Sequence, residues 1–232
     1  MEKILGRNRA GGEGEGSHWL SVSDLMAGLM MVFLFIAVSL MRQAVIVTDV
    51  AVAIQQNHVN IFNALTSEFS KDLQQWNATI DKETLAFEFR APDVLFGTGQ
   101  TEVRPRFQAI LNDFFPRYLR TLSGFKDSIS EIRIEGHTSS EWNGKISGTE
   151  TYFHNMSLSQ GRTNSVLRYV YELPAISAEQ DWVRKHFAAV GFSSSRLIKN
   201  NDGSEDAEQS RRVSFRVITN AETQILKILK AK

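Results

Sequence analysis

The chain of 232 residues contains no cysteine. Disulfides, thiolate nucleophiles, cysteine-ligated zinc and iron–sulfur clusters are thereby excluded. It also lacks net charge, because 26 Lys and Arg balance 26 Asp and Glu. Nucleic-acid binding usually demands a basic surface, so no direct nucleic-acid partner is expected. Among the histidines (His18, His58, His137, His154 and His186) no two stand at i, i+4 on one helix, and no metal is expected. There is no Gly-x-Ser-x-Gly elbow and no phosphate-binding loop. The glycine–glutamate alternation at Gly12 to Gly16 follows no strand and reads as a linker. No cofactor and no enzymatic activity are expected. Neither proline nor glycine occurs between Arg42 and Trp76, and only one long apolar run is present.

That run extends from Trp19 to Met41 and is interrupted by Ser21, Ser23, Asp24, Gly28 and Ser39. As a helix it would be about 34 Å long at about 1.5 Å per residue, enough for one crossing of a bilayer core. Leu25 to Leu40 is longer than the apolar part of a cleaved signal peptide, and Leu40-Met41-Arg42-Gln43 is a poor cleavage site. Lys3, Arg7 and Arg9 precede the run, whereas Arg42 alone lies close behind it. The positive-inside rule then places the N-terminus in the cytoplasm and the bulk of the chain outside, which in a two-membrane bacterium is the periplasm.

Asp24 lies within the span. A carboxylate there costs roughly 2.5–3.5 kcal/mol on insertion scales. Two readings remain open. Asp24 is either a hydrated residue near the headgroups, helped by Ser21 and Ser23, or a protonatable site facing a partner protein. Gly28 and Met31, at i+4 and i+7, share its face, and the small Gly28 permits close approach of a neighbouring helix.

Beyond the span, Val45, Val52, Val59, Thr66 and Leu73 mark one heptad seam, and Thr48, Gln55, Phe62, Phe69 and Trp76 the other. This predicts a long helix, read either as a parallel dimeric coiled coil or as an amphipathic helix lying on its own domain. The periods then change. Alternation predicts strands at Leu85–Phe89, Ile129–Gly136 and Val213–Val217. Helical spacing covers Pro105–Leu122 and Leu158–Leu173, with a third helix or helix-like turn at Trp182–Val190. Asp93–Thr101 and Gly144–Thr151 read as loops. The fold class is therefore α/β: a single transmembrane helix, a helical linker, then an α/β sandwich with helices on one sheet face. The expected organisation is a flexible cytoplasmic tail at 1–18, the transmembrane helix at 19–41, the linker at 42–81, the sandwich at 82–222 and a tail at 223–232.

Three families are resembled. Ser23-Asp24-Leu25-Met26-Ala27-Gly28 and the Leu29-Met30-Met31-Val32-Phe33-Leu34 after it resemble the span of MotB-type stator subunits. That resemblance implies an ion-carrying role for Asp24, a homodimer, and a polytopic partner surrounding it. Leu95 to Pro105, Ile134-Glu135-Gly136-His137-Thr138, Asn155 to Arg162 and Ser210-Arg211-Arg212-Val213-Ser214-Phe215 resemble, in order, the motifs of OmpA-like peptidoglycan-binding domains. By family position, Thr138, Ser139, His154, Asn155, Leu158 and Arg162 form the wall-binding set. Arg162 would grip the carboxylate of a stem-peptide diaminopimelate with two prongs, assisted by the N-terminus of the second helix. The alternatives are a surface ion pair for Arg162 and plain core packing for Leu158. The family usually has Asp where this chain has Ser139, so recognition of the ligand's amine passes to another group or is lost; Glu141 is the neighbouring acid. The run from Gly136 to Trp142 resembles the ZorB family of Zorya anti-phage defence systems. This implies a ZorA-type polytopic partner in the inner membrane and a wall-anchored, ion-driven motor, with proton and sodium both open. A flagellar stator subunit and a passive peptidoglycan tether are the other readings.

Overall fold

A computed structural model describes residues 14–90, 92–142, 148–221 and 223. The chain divides into two compact units, residues 1–52 and 53–232. In the first, the described residues all belong to helix α1, whose bounds are Gly14–Phe69. Its part from Val22 onward is long and apolar enough to cross a membrane. Leu25, Met30, Met31, Phe33, Phe35 and Met41 are all exposed. Residues 14–18, expected in the flexible tail, already belong to this helix.

The second unit is built on a five-stranded sheet. In chain order its strands are β1 (Ala78–Asp81), β2 (Ala86–Phe89), β3 (Ile129–Gly136), β4 (Phe187–Gly191) and β5 (Val213–Thr219). They lie in the order β1-β2-β5-β3-β4. Every neighbouring pair is antiparallel except β3 and β4. The remaining helices are α2 (Pro92–Leu95), α3 (Pro105–Leu122), α4 (Gly148–Tyr171), α5 (Gln180–His186) and α6 (Ala207–Ser210).

Strand alternation sorts the sheet's faces. Phe87, Phe89, Ile132, Ile134, Val213, Phe215 and Val217 are buried with the helices. Glu88, Glu131, Arg133, Glu135 and Arg216 occupy the intervening positions on the other face and pair among themselves and with Arg90, Arg196 and Arg212. The core is aromatic. The Phe114 ring lies 4.7 Å from Phe87, 4.9 Å from Tyr118, 5.1 Å from Phe89 and Phe215, and 5.3 Å from Phe69.

Phe69 belongs to α1, and this corrects the expected linker. A helical linker, as a coiled coil or as an amphipathic helix on its own domain, is expected to residue 81, with the domain beginning at 82. Instead α1 stops at Phe69 and a turn leads into β1. The buried stripe is Ile61, Leu65 and Phe69, spaced by four and so on one helix face. Arg117 of α3 fixes that helix end. Its Nε donates to Glu68 Oε1 at 2.7 Å, its Nη2 to Asp72 Oδ2 at 2.9 Å and to the Glu68 carbonyl at 3.0 Å. Its guanidinium also lies 4.8 Å from the centre of the Phe69 ring.

Other boundaries moved as well. Of the expected Gly144–Thr151 loop, 144–147 lies outside the described residues, while Gly148–Thr151 opens α4, a helix expected only from Leu158. The Trp182–Val190 segment is helical only to His186, after which Phe187–Gly191 pairs with β3. Asp93–Thr101 contains the end of α2 and a bridge from Phe96 to Val103.

Two glycines set how closely α4 approaches the sheet. Gly136 and Gly191 are register partners on β3 and β4. A Cβ on Gly136 would stand 2.7 Å from the Ser159 carbonyl, and one on Gly191 only 2.5 Å from the Gln160 nitrogen. Both obstacles are backbone. Gly191→Ala should therefore destabilise the domain by about 1–3 kcal/mol, as overpacking does. Urea unfolding of the chain in detergent, followed by tryptophan fluorescence, measures this.

Candidate functional site

The close approach of α4 brings its Asn155, Leu158 and Arg162, at i, i+3 and i+7 and so on one face, against the chain leaving β3. Between them opens a cavity of about 310 Å³. Thr138 and Ser139 line it from the end of β3, Phe96 to Gly99 from the loop after α2, and Arg211 from the turn before β5. Glu141 and Trp142 complete the lining. Thus Thr138, Ser139, Asn155, Leu158 and Arg162 are brought together. His154 does not line the cavity. It stacks on Trp142 with ring centres 5.1 Å apart and planes at 19°, so it acts on the cavity only through that indole.

Arg162 is held rather than free. Its Nε donates to the Gln100 carbonyl at 2.9 Å and its Nη2 to the Gly97 carbonyl at 3.1 Å. Its guanidinium lies 4.9 Å from the centre of the Phe96 ring. Nε and Nη2 thus secure the 97–100 loop, and Nη1 keeps no partner among the described residues. Burial and then the neighbouring Arg211 push the Arg162 pKa down to about 10, which still leaves it charged at neutral pH. No carboxylate pairs with either arginine among the described residues, and Arg211 Nε is buried without a hydrogen-bond partner.

The chain after β3 is held by main-chain bonds. The His137 amide donates to the Arg212 carbonyl at 3.0 Å and the Thr138 amide to the Ser193 carbonyl at 2.9 Å. Asn155 Nδ2 donates to the carbonyls of Ser139 at 3.1 Å and Glu141 at 3.4 Å. The Ser140 amide donates to Glu205 Oε1 at 2.9 Å, and its hydroxyl to Glu205 Oε2. Asn155 therefore shapes the cavity as much as it lines it. The Thr138 hydroxyl is buried beside the cavity with no partner among the described residues. Behind it, His137 stacks on Phe192, with Nε2 3.6 Å from Glu135 Oε2. Burial lowers the His137 pKa against the pull of Glu135. Burial raises that of Glu135, but His137, Arg216 and Arg196 outweigh it and hold the carboxyl below its ordinary value.

Sequence reasoning missed Arg211, Trp142 and the Gly97–Gly99 rim as parts of the site. For Arg211 a signal was present in the paired Arg211-Arg212 before β5. Trp142 closes the Gly136 to Trp142 run, but nothing in that run marks it as lining a cavity. Among the described residues no group of acids and histidines is suited to a metal.

No family model matches the chain. It is 52% identical to the Zorya protein ZorB of Escherichia coli over 233 residues, covering 99% of each chain. The chain belongs to the ZorB family. A second relative, the uncharacterized protein YtxE of Bacillus subtilis, is 30% identical over 122 residues, 53% of this ZorB-family chain and 43% of its own. Two solved structures are similar with TM-scores of 0.46. One is the cell wall anchor of the T6SS from Pseudomonas aeruginosa, at 20% identity, covering 67% of this chain and 96% of that one. The other is a MotB-like protein from Desulfovibrio vulgaris, at 21% identity, covering 73% and 93%.

Thr138→Val removes the partnerless hydroxyl while keeping the side chain's shape. In this ZorB-family chain, stability should stay within about 1 kcal/mol, because no hydrogen bond is lost. Thermal unfolding in detergent is the check; a larger loss would reveal a partner for that hydroxyl.

Proposed function

We propose that this ZorB-family chain is the cell-wall-anchored subunit of an inner-membrane, ion-driven motor complex in anti-phage defence. In this reading the N-terminus is cytoplasmic, α1 crosses the inner membrane once, and the sheet domain lies in the periplasm. Asp24 is the ion carrier, with the proton as the ion. Two copies pair, and a polytopic ZorA-type subunit surrounds their spanning helices. The domain binds peptidoglycan through Thr138, Ser139, Asn155, Leu158 and Arg162, with His154 supporting Trp142. The chain is a binding and conducting subunit rather than an enzyme.

One observation carries the reading: identity to ZorB runs over 99% of both chains, and so takes in the apolar helix and the cavity-bearing domain together. Physical chemistry supports the roles. A carboxyl in a low-dielectric span favours its neutral form, so it can take up a proton on one side and release it on the other when a partner supplies the path. Among the described residues no atom within 4 Å would meet a Cβ on Gly28, which agrees with glycine serving a contact made by another helix. In the domain, two arginines without carboxylate partners beside a cavity suit the carboxylate of a stem peptide.

Two substitutions test the two halves. Asp24→Asn should abolish phage protection while membrane insertion and co-purification with the polytopic subunit stay intact. Full protection by that variant would remove the ion path through this residue. Arg162→Ala should lower co-sedimentation with purified sacculi by about tenfold, the scale of one charge-assisted bond. Unchanged sedimentation would place wall binding elsewhere.

A further inference from the structure

His137 is a buried titratable group that the wall-binding reading leaves unused. Its ring lies against that of Phe192, with centres 5.3 Å apart and planes at 9°. Phe192 directly follows β4, and the Arg196 guanidinium lies 3.7 Å from the centre of the same ring. Glu135 Oε2 completes the group, 3.6 Å from His137 Nε2 and 3.4 Å from Arg196 Nη1. Three main-chain bonds run alongside. The Phe192 amide donates to the Gly136 carbonyl at 2.9 Å, the Thr138 amide to the Ser193 carbonyl at 2.9 Å, and the His137 amide to the Arg212 carbonyl at 3.0 Å. The end of β3 and the chain leaving β4 are thus held together around one imidazole.

This packing suits only the neutral ring. With Nε2 turned toward a carboxylate, the ring's proton resides there and Nδ1 is the basic nitrogen. Nδ1 is buried and has no hydrogen-bond partner among the described residues. A second proton would make it a buried donor without an acceptor, which is costly. The surrounding charges oppose that proton as well. Arg196 acts on His137 from the chain after β4 and Arg212 from the turn before β5. Arg211 and, from α4, Arg162 line the same small cleft as His137. Against them stands Glu135, which is shared with Arg196 and lies 3.8 Å from Arg216 of β5. Glu88 of β2 is 3.5 Å from Arg212. Burial, joined by Arg212 and Arg196, outweighs Glu135 and holds the His137 pKa below its ordinary value.

We propose that His137 is an acid-sensitive latch: neutral, it locks the chain leaving β4 onto the end of β3, and a proton on Nδ1 drives the ring out and frees both segments, Thr138 and Ser139 of the cavity wall included. The latch rests on this packing alone; only its effect on the cavity rests on the wall-binding reading above. A freed ring regains its ordinary pKa of 6.5, so the open form takes up the proton first. The latched form is fully favoured above that pH and is progressively lost as pH falls below it, by up to about tenfold per pH unit for one proton.

Hydrogen exchange of the full chain in detergent, read by mass spectrometry and corrected for the intrinsic rate of each amide, tests this. Between about pH 7.5 and about pH 5.5, protection of peptides covering 137–142 and 192–196 should fall by about tenfold, while that of α3 holds. His137→Gln keeps a donor for Glu135 but offers no site for the proton, and should abolish the fall. An undiminished fall in that variant, or an equal fall in α3, overturns the latch. Arg196→Gln, at a side chain 42% exposed, gives a second arm. With one cation fewer acting on the ring, the pKa of the latched form rises toward that of the open form, and the acid fall should shrink. An unchanged or larger fall there overturns the proposal even if His137→Gln does not fold. No wall fragment enters the measurement, so its outcome is independent of whether the domain binds peptidoglycan.

Discussion

Gly136 and Gly191 face each other across β3 and β4, and the backbone of Ser159 lies against the first and that of Gln160 against the second. With no side chain at either position, α4 comes so near the sheet that methyl groups there would collide with peptide atoms. Much of the cavity depends on this spacing. It sets how far Asn155, Leu158 and Arg162 stand from the chain leaving β3, and whether Asn155 can reach the Ser139 carbonyl. A groove built on a helix and a strand end is held more rigidly than one built on loops alone. Here the loops, Gly97–Gln100 and Ser139–Glu141, are themselves tied down by Arg162, Asn155 and Glu205.

A second constraint acts on α1. Its last turns bury Ile61, Leu65 and Phe69, and Arg117 satisfies both a side chain and a carbonyl near the helix end while bonding Asp72 beyond it. The apolar stripe alone would leave the helix free to slide along the core. The directional bonds to Glu68 and Asp72 choose one register. The individual pairs are partly exposed and weak taken singly, but converging on one guanidinium they act as a network.

The sequence showed β3, α3 and β5 clearly, because alternation at Ile132–Ile134 and Phe215–Val217, and helical spacing from Phe107 to Leu119, each repeat a single period. It concealed β1 and β4. Ala78–Asp81 is only four residues long and follows Asn77, whose φ of 49° lets the chain reverse without a glycine or proline to mark the turn. Phe187–Gly191 is a short apolar run that suits a buried strand or a helix equally, and its pairing with β3 decides the matter. Of the two readings of the heptad seam, the helix lying on its own domain fits the packing: Phe62, Phe69, Leu73 and Trp76 of the seam all meet the core beside Ile61 and Leu65. In the cavity, the residues at β3's end and along α4 were legible, since one motif and one helix face carry them. Trp142 and the glycine rim are brought in by tertiary folding alone. The loop-holding bonds of Arg162 to the Gly97 and Gln100 carbonyls were not legible, because they join segments more than sixty residues apart.

Gln160 has a consequence at the margin of the sheet. Its side-chain amide donates to the Ala189 carbonyl at 3.1 Å and accepts from the Gly191 amide at 2.8 Å. These groups belong to β4, which forms the sheet's outer strand. An open strand margin is a template on which a foreign chain can add. Here a single glutamine from α4 mimics the peptide group that such a chain would bring. At that corner the sheet ends in a stopper drawn from its own helix, so crowded neighbouring copies find no seam there along which to zip together.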